Sequence, residues 1–382
     1  MKTRSNVAAL FFYNSCLATF LSYGVFFTRV SAELNLPATS TALVFGVFAA
    51  MYSVSSLLMG LFMNARGPRT TILLGGSLMG AGLALSALAN SFPLLLATYG
   101  VIGGLGSGAT WLTTSYVVFD RFDADKVPKV TGLVSAGTAA GLLYFSPLES
   151  YLISAFGLQA AFLAVGGVVL LFTLTAYLST EESSAVVRIR LTDALRALKT
   201  GRFRYLYVYY AFGNAFARTL VIIFMVPLFE SRGIGAAVGP LALALVGVGS
   251  LAGRLTTGTH RIREETVAAV GFLLQGACAV GLYFSSSVAL VAVFALLFGV
   301  GYGAYIPEFA LLVRKYFGVE SYGSIFGTLL TSFGIGAFIG SAFEGSEVSS
   351  TGGFIFGFLL AAGASIVVGT HLLLGRVWSR AA

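Results

Sequence analysis

The chain has 382 residues, of which 57% are apolar, 47 are glycine and only 10% are charged. A soluble domain is about 45–50% apolar with glycine included and about 25% charged. This composition excludes a soluble enzyme, a nucleic-acid-binding protein and a disordered chain, and it indicates a polytopic membrane protein. What the formal net charge of +8 means therefore depends on where the basic residues lie along the chain.

Twelve apolar segments follow one another, each long enough to cross a bilayer, which takes about 20 residues. The first follows Lys2 and Arg4 and is too long for the apolar core of a signal peptide, so we expect it to remain as span 1. The sequence therefore predicts an all-α membrane protein with twelve transmembrane helices. The predicted spans are 7–31, 40–63, 70–90, 92–118, 128–154, 158–178, 203–230, 236–259, 265–285, 287–313, 320–343 and 351–376.

The basic residues cluster in alternate loops. With the N-terminus inside the cell, nineteen of the 23 Lys and Arg residues lie in cytoplasmic segments, and only Arg29 and Arg232 lie outside. Arg218 and Arg254 fall within spans. Because cytoplasmic loops of membrane proteins carry an excess of Lys and Arg, we expect both termini in the cytoplasm and the protein in the cell membrane.

A weak repeat at an offset of 195 residues relates the two parts of the chain. The glycine motif of span 4 (Gly104, Gly106, Gly108) falls on that of span 10 (Gly299, Gly301, Gly303), and Glu149 falls on Glu344. This pattern predicts two pseudo-symmetric six-helix bundles with a site between them at mid-membrane. Gly100, Gly104 and Gly108 form a ridge of small residues on span 4, which fits either close static packing or a smooth surface on which the halves rock.

The predicted division is an N-terminal bundle at 1–178, a cytoplasmic linker at 179–202 and a C-terminal bundle at 203–382. The linker is the only long polar stretch. Leucines at helical spacing beside basic residues favour either a helix at the membrane surface or a solvated linker with helical tendency.

The loop after span 2 resembles the cytoplasmic signature of the major facilitator superfamily, with Asn64 and Ala65 in place of its usual aspartate and arginine. The segment 132–167 is also similar to spans 5 and 6 of that superfamily. The resemblance implies the major facilitator fold and secondary active transport. The signature loop is defined by Gly60, Asn64, Arg66, Gly67, Pro68 and Arg69.

Two further segments resemble the branch of monocarboxylate transporters and oxalate–formate antiporters: residues 23–48 and the stretch Gly253-Arg254-Leu-Thr-Thr-Gly258 in span 8. The resemblance implies that Arg254 binds a substrate carboxylate. Ser250 stands where animal monocarboxylate carriers have an aspartate, and span 11 lacks the lysine of the oxalate carrier. The departures favour a monocarboxylate over oxalate.

The charges within the spans indicate the same class of ligand. An arginine at the bilayer centre costs about 2.5–3.5 kcal/mol on insertion scales, so it needs a partner or a water-filled cavity. A planar guanidinium matches the two oxygens of a carboxylate. We predict these substrate-binding residues: Arg254, Arg218, Asn214, Tyr210, Tyr302, Tyr305, Ser250, Asn14, Thr328 and Ser332.

Each of these residues also has a structural alternative. Arg254 would then bond loop groups or Glu308, Arg218 would pair with a carboxylate or helix-end carbonyl, and the hydroxyls would bond their own helix backbone. Candidates for proton coupling or gating are Glu308, Glu149 and Glu344. Their alternatives are a local ion pair of Glu308 with Arg314 or Lys315 and, for the other two, positions at the membrane interface.

The sequence therefore predicts a transporter for a small organic anion such as lactate, pyruvate or formate, working by alternating access. Proton symport and anion exchange both stay open. The alternative is a proton-coupled exporter of drug-like molecules, which would need an acid at the centre of the cavity. We expect no enzymatic activity, cofactor, metal or nucleic-acid partner, and a monomer in the bilayer; His260 and His371 lie too far apart for a metal site.

Overall fold

The structure, a computed structural model, describes residues 2–181, 191–256, 262–318 and 322–374. Nearly all of them are helical. Spans 1–6 are Lys2–Ser15 with Ala18–Leu21 and Tyr23–Glu33 (span 1), Ala38–Met63, 68–86, Phe92–Arg121, 127–156 and 158–179. Spans 7–12 are Gly201–Ser231, Val238–Leu255, Glu264–Phe284, Val288–Phe317, Tyr322–Thr351 and Ile355–Leu374. A short helix, Leu191–Lys199, precedes span 7.

Two long helices each contain two spans. Ala38–Ser86 and Val127–Ser179 would be longer than 70 Å if straight, at about 1.5 Å per residue. They bend at Gly67 (φ 82°) and Gly157 (φ 84°), where the positive φ suits a residue without Cβ. By length and composition, nine helices of the described part pass as membrane-crossing, or ten with the broken span 1. Counting both legs of each bent helix gives the twelve predicted spans.

The glycines of the repeat pack equivalently in the two halves. An added methyl group at Gly104 would lie 2.6 Å from the Phe48 carbonyl oxygen in span 2, and one at Gly299 would meet the Val246 carbonyl in span 8. Gly106 likewise abuts span 3 as Gly301 abuts span 9. This equivalent packing supports the predicted pseudo-symmetry of the two bundles. The glycine ridge of span 4 packs against span 2, which belongs to the same half. The interpretation as close static packing therefore applies, and the ridge is not a surface on which the halves rock.

The halves meet through spans 2 and 11 and through spans 5 and 8. Ser53 Oγ donates to the Leu330 carbonyl at 3.0 Å and accepts from the Gly334 N–H at 2.6 Å. Ser146 Oγ donates to the Pro240 carbonyl at 2.9 Å. These bonds fix the two bundles side by side.

Contacts between the halves occur at both ends of the bundle. We call the end with the loop 122–126 the inner end and the end with the loop 34–37 the outer end. At the outer end Thr39 bonds Ser349 (Oγ1 to Oγ, 2.8 Å), and at the inner end the Phe119 and Tyr322 rings meet edge to face at 4.5 Å. The halves therefore touch at both ends of the bundle.

Of the predicted linker, residues 182–190 lie outside the described part. The remainder contains the helix Leu191–Lys199, which supports the helical interpretation. Its position at the membrane surface and the exact division of the chain into bundles stay predictions.

Candidate functional site

A cavity of about 60 Å³ lies between the halves at the middle of the bundle. A single water needs about 10–15 Å³ of such space, so the cavity holds roughly four to six water-sized groups. Eight spans contribute to its wall. The lining residues are Leu17, Phe20, Leu21, Phe48, Tyr52, Trp111, Thr138, Tyr210, Arg218, Arg254, Tyr302, Ile306 and Phe333.

Arg254 reaches this cavity from the last turns of span 8 and is 1% exposed. Its Nε donates to Ser250 Oγ at 3.1 Å, one turn earlier. Its Nη1 donates to the Ser135 carbonyl in span 5 at 2.6 Å, across the boundary between the halves. Its Nη2 is buried and has no acceptor within the described residues. The Nη2 edge of the guanidinium therefore lacks an acceptor among the described residues.

Arg218 enters the same cavity from span 7. Its Nη1 donates to the Tyr302 hydroxyl at 3.0 Å, and its Cζ lies 5.1 Å from the Tyr302 ring centre and 4.9 Å from that of Phe333. The Cζ of Arg254 lies 5.0 Å from the same Tyr302 ring. Tyr302 thus lies against both guanidinium groups, and the two charges face one cavity.

No carboxylate compensates these charges in the described part of the chain. All its ion pairs lie toward the ends of the helices, as in Arg29–Glu33, Lys126–Asp123 and Lys315–Glu264. The cavity lining contains two arginines and no acid. Two buried cations facing one hollow make an anion-binding arrangement, because a bound anion would supply the missing acceptors.

A hydrogen-bonded network supports the cavity wall from behind. Residues Tyr210–Phe216 form a π-helical turn in span 7. Gln275 Nε2 donates to the Gly213 carbonyl in this turn at 2.9 Å and to Ser365 Oγ at 2.7 Å. The Tyr305 hydroxyl donates to Gln275 Oε1 at 2.6 Å and lies 3.3 Å from Asn214 Oδ1. The network joins spans 7, 9, 10 and 12.

The predicted substrate residues therefore divide into groups. Arg254, Arg218, Tyr210 and Tyr302 line the cavity, whereas Ser250, Asn214 and Tyr305 lie just behind it. Asn14 lies behind Thr138 of the cavity wall, and Thr328 and Ser332 do not line the cavity. Asn14 Nδ2 donates to the Val134 carbonyl at 3.0 Å, and Thr328 and Ser332 bond the carbonyls of Ser324 and Leu329 in their own helix. Thr328 and Ser332 therefore follow the structural alternative, in which a hydroxyl bonds its own helix backbone.

Glu308 is fully buried near the inner end. It lines a separate cavity of about 340 Å³ together with Pro128, Glu264, Arg314 and Lys315. Lys315 pairs with Glu264 at 2.7 Å and with Glu265 at 3.1 Å, so the lysine's ion pairs go to span 9. Glu308 therefore faces an inner vestibule between the halves.

Glu149 and Glu344 occupy equivalent places, each fully buried inside its own half. Their carboxylate oxygens have no hydrogen-bond partner among the described atoms. The side chain of Glu344 lies against Gly357 of span 12, away from span 2 of the other half. Their burial corrects the expectation of carboxylates at the membrane interface.

The signature loop forms the turn between spans 2 and 3. Gly67 provides the positive φ, and Pro68 follows it at the start of span 3. Arg69 Nε donates to the Tyr177 carbonyl at 3.1 Å, and its Cζ lies 4.3 Å from the Tyr177 ring centre, which ties the loop to span 6. Gly60 and exposed Arg66 flank the turn, and the side chain of Asn64 lies outside the described residues.

Sequence reasoning missed the wall that the N-terminal half contributes. Phe20 and Phe48 stack at 4.1 Å, and Trp111 lies on the same cavity. Their only sequence signal was a large aromatic within a span, which is common in lipid-facing positions as well. It also missed Gln275 and the Ser135 carbonyl. Gln275 could have been found, because a glutamine within a predicted span is a polar residue that needs a partner. The Ser135 carbonyl could not, because the sequence does not show which backbone carbonyls accept side-chain bonds.

Twelve spans in two related halves around a central polar cavity define a membrane transport protein. The sequence pattern of the Major Facilitator Superfamily matches residues 8–341. The chain belongs to this superfamily, and the resemblance seen in the signature loop is confirmed.

Curated relatives support the same class. Rat (Rattus norvegicus) monocarboxylate transporter 4 is 24% identical over 368 residues, which are 92% of this chain and 78% of that protein. Rat monocarboxylate transporter 9 is 29% identical over 164 residues, 43% of this chain, and the match spans about a third (32%) of that relative. The human organic anion transporter MFSD10 (TETRAN) has a similar structure, with a TM-score of 0.73 over 97% of this chain and 99% of that one, at 16% identity. This last likeness concerns the fold.

Proposed function

We propose that this secondary transporter moves a small organic anion, a monocarboxylate, held in the central cavity by Arg254. The observation that carries the proposal is the guanidinium of Arg254, buried between the halves with Nη2 lacking an acceptor. Arg218 adds a second positive charge to the same cavity. The names of the relatives, monocarboxylate transporters, agree with this class of substrate.

A carboxylate fits this arrangement for physical reasons. Two buried cations raise the free energy of the empty site, and an anion between them removes that cost. A guanidinium presents parallel N–H donors to both carboxylate oxygens, which gives specificity as well as affinity. The drug-export alternative requires an acid at the cavity centre, and the lining that is described contains none.

Alternating access follows if the anion competes with the Ser135 carbonyl for Arg254. The Nη1 bond holds span 8 to span 5. A carboxylate that takes over this donor would loosen the contact between the halves and shift the balance of conformations through its differential affinity for them. Ligand binding and rocking of the halves would thereby be coupled.

The energy source is a proton or an exchanged anion. Moving one negative charge into a cell costs about 2.3 kcal/mol per 100 mV of inside-negative potential. Symport would need a proton-binding group, for which Glu308, beside the inner vestibule, and the unpaired Glu149 and Glu344 are the candidates. Exchange would need none.

We further propose the cell membrane as the location, with both termini cytoplasmic, a monomeric carrier, and bundles at 1–178 and 203–382 joined by the linker 179–202. The basic loops at the inner end support this orientation. In right-side-out vesicles, a protease site inserted after Lys126 should then resist external protease.

Uptake into proteoliposomes tests the substrate class. Purified protein is assayed with lactate, pyruvate, acetate and formate, with and without a pH gradient, against sugars and cationic dyes as competitors. We expect competition by carboxylates only, and loss of uptake in Arg254→Gln. Lys126→Gln, which removes an exposed charge in the loop 122–126, is the matched control and should transport normally. Unchanged uptake in Arg254→Gln contradicts the proposal.

A further inference from the structure

The wall of the central cavity is chemically divided between the halves. The C-terminal half supplies both cations, Arg218 and Arg254, together with Tyr302. The N-terminal half supplies an apolar wall, defined as Leu17, Phe20, Leu21, Phe48 and Trp111. The ligand that matches such a cavity has a charged end and an apolar body.

We propose that the apolar wall selects monocarboxylates with a short hydrocarbon chain, such as butyrate, over formate and over hydroxylated acids such as lactate. The carboxylate would lie on the arginines and the chain would lie on the apolar wall. This inference rests on the proposed function and names the substrate class of the same site. It assigns Trp111, Phe20 and Phe48 as specificity-determining residues.

Of the polar side chains on the N-terminal side, Thr138 is already engaged. Thr138 Oγ1 donates to the Asn14 carbonyl at 3.1 Å. Tyr52 packs edge to face on Phe333 of the C-terminal half at 5.2 Å. Phe20 and Phe48 present stacked rings, only 4.1 Å between centres. A ligand hydroxyl lying on these two rings would lose its hydrogen bonds to water and gain none from them in return.

The size of the cavity favours a small ligand. Its 60 Å³ is several times the space that one water needs, so it has room for a short-chain acid such as propionate or butyrate. Formate would bind the arginines without reaching the opposite half. Since the two halves supply the two parts of the site, only a ligand that touches both draws them together around it.

The test measures the affinity of the purified protein in nanodiscs, by calorimetry, for acetate, propionate, butyrate and lactate. We expect affinity to rise about fourfold for each added methylene group, as for burial of apolar surface. Lactate should bind more weakly than propionate, which has the same carbon skeleton without the hydroxyl. Proteoliposome uptake should follow the same order.

Variants assign the effect to the wall. Trp111→Ala should flatten the dependence of affinity on chain length, and its thermal unfolding checks that the variant is folded. Trp111→Phe should keep most of the dependence. Phe284→Ala removes an exposed aromatic at the end of span 9 and should change nothing.

The outcomes separate the two proposals. Equal affinity for acetate, butyrate and lactate overturns the selection of apolar chains and leaves carboxylate transport standing. A chain-length dependence that Trp111→Ala does not alter overturns the role of Trp111. Absence of any carboxylate binding or uptake by the wild-type protein overturns both proposals.

Discussion

Arg254 donates from Nη1 to the backbone carbonyl of Ser135 at 2.6 Å, and this bond joins span 8 to span 5 across the boundary of the two halves. The same side chain also bonds Ser250 of its own helix and lies on the Tyr302 ring, so it contacts both halves. The acceptor is a carbonyl oxygen without formal charge. An anion would be a better partner for the guanidinium, and Arg254 is therefore poised to exchange partners.

Arg254 should be needed for transport and dispensable for stability. Because a buried, unpaired cation is costly, we expect Arg254→Met to lose uptake yet to unfold at a temperature no lower than the wild type.

Arg69→Met is the matched control. It breaks the bond to the Tyr177 carbonyl and the stacking on the Tyr177 ring near the surface, at a cost of about 1 kcal/mol, and should unfold earlier. Thermal unfolding by intrinsic fluorescence measures both. Earlier unfolding of Arg254→Met than of Arg69→Met would make Arg254 a structural residue.

Close packing around Gly303 should hold Arg254 in place. A methyl group at Gly303 would lie 2.6 Å from the Ser250 Cα, so Gly303→Ala must shift the segment of span 8 that carries Arg254. We expect a loss of about 1–3 kcal/mol in stability and weaker carboxylate binding. Calorimetry and thermal unfolding check the two effects.

The repeat offers a matched comparison for this variant. Gly108, the counterpart of Gly303, abuts Tyr52 and Ser56 in span 2, so Gly108→Ala should lose similar stability while Arg254 keeps its place. Gly363 has no neighbour within 4 Å, and Gly363→Ala should be neutral or stabilising. If all three variants bind carboxylate equally, the packing at Gly303 does not position the site.

Hydropathy and charge placement predicted the spans well because the bilayer leaves few alternatives for an apolar chain of this length. The ends were less accurate: span 11 was predicted to end at 343 and continues to Thr351, and span 1 was predicted as one helix and is interrupted near Leu17 and Ser22. Local breaks of this kind depend on packing against neighbours, which the sequence pattern does not record.

The polar stripe of span 7 illustrates why side-chain placement was harder. Tyr210, Asn214 and Arg218 recur every four residues, which predicts one helical face. The π-helical turn Tyr210–Phe216 changes that register, so Tyr210 and Arg218 line the cavity and Asn214 faces Tyr305. Arg218 and Arg254 line the cavity as expected because charges in the bilayer face the bundle interior. A hydroxyl such as that of Ser332 is instead satisfied by its own backbone.

Gln275 should stabilise this turn. Gln275→Leu would leave the Gly213 carbonyl, the Ser365 hydroxyl and the Tyr305 hydroxyl without their bonds to Gln275, at about 1–3 kcal/mol for each group left unpaired. We expect a lower unfolding temperature and weaker binding of carboxylate, through displacement of Tyr210. Cys278→Ala, at a buried position one turn away, should have a smaller effect. Equal effects of the two substitutions would mean that burial alone, and not the network, matters at Gln275.

Opening of the outer end should be blocked by a disulfide between spans 2 and 11. The Oγ atoms of Thr39 and Ser349 lie 2.8 Å apart, so cysteines at both positions are close enough to bond. The native Cys16 and Cys278 are buried and free, and they are replaced by alanine in the background for this experiment. We expect oxidised Thr39→Cys/Ser349→Cys to lose uptake and to regain it on reduction, since alternating access requires these spans to separate.

Each single substitution should transport under both oxidising and reducing conditions. Full uptake by the cross-linked protein would show that the substrate does not pass between the halves at this end.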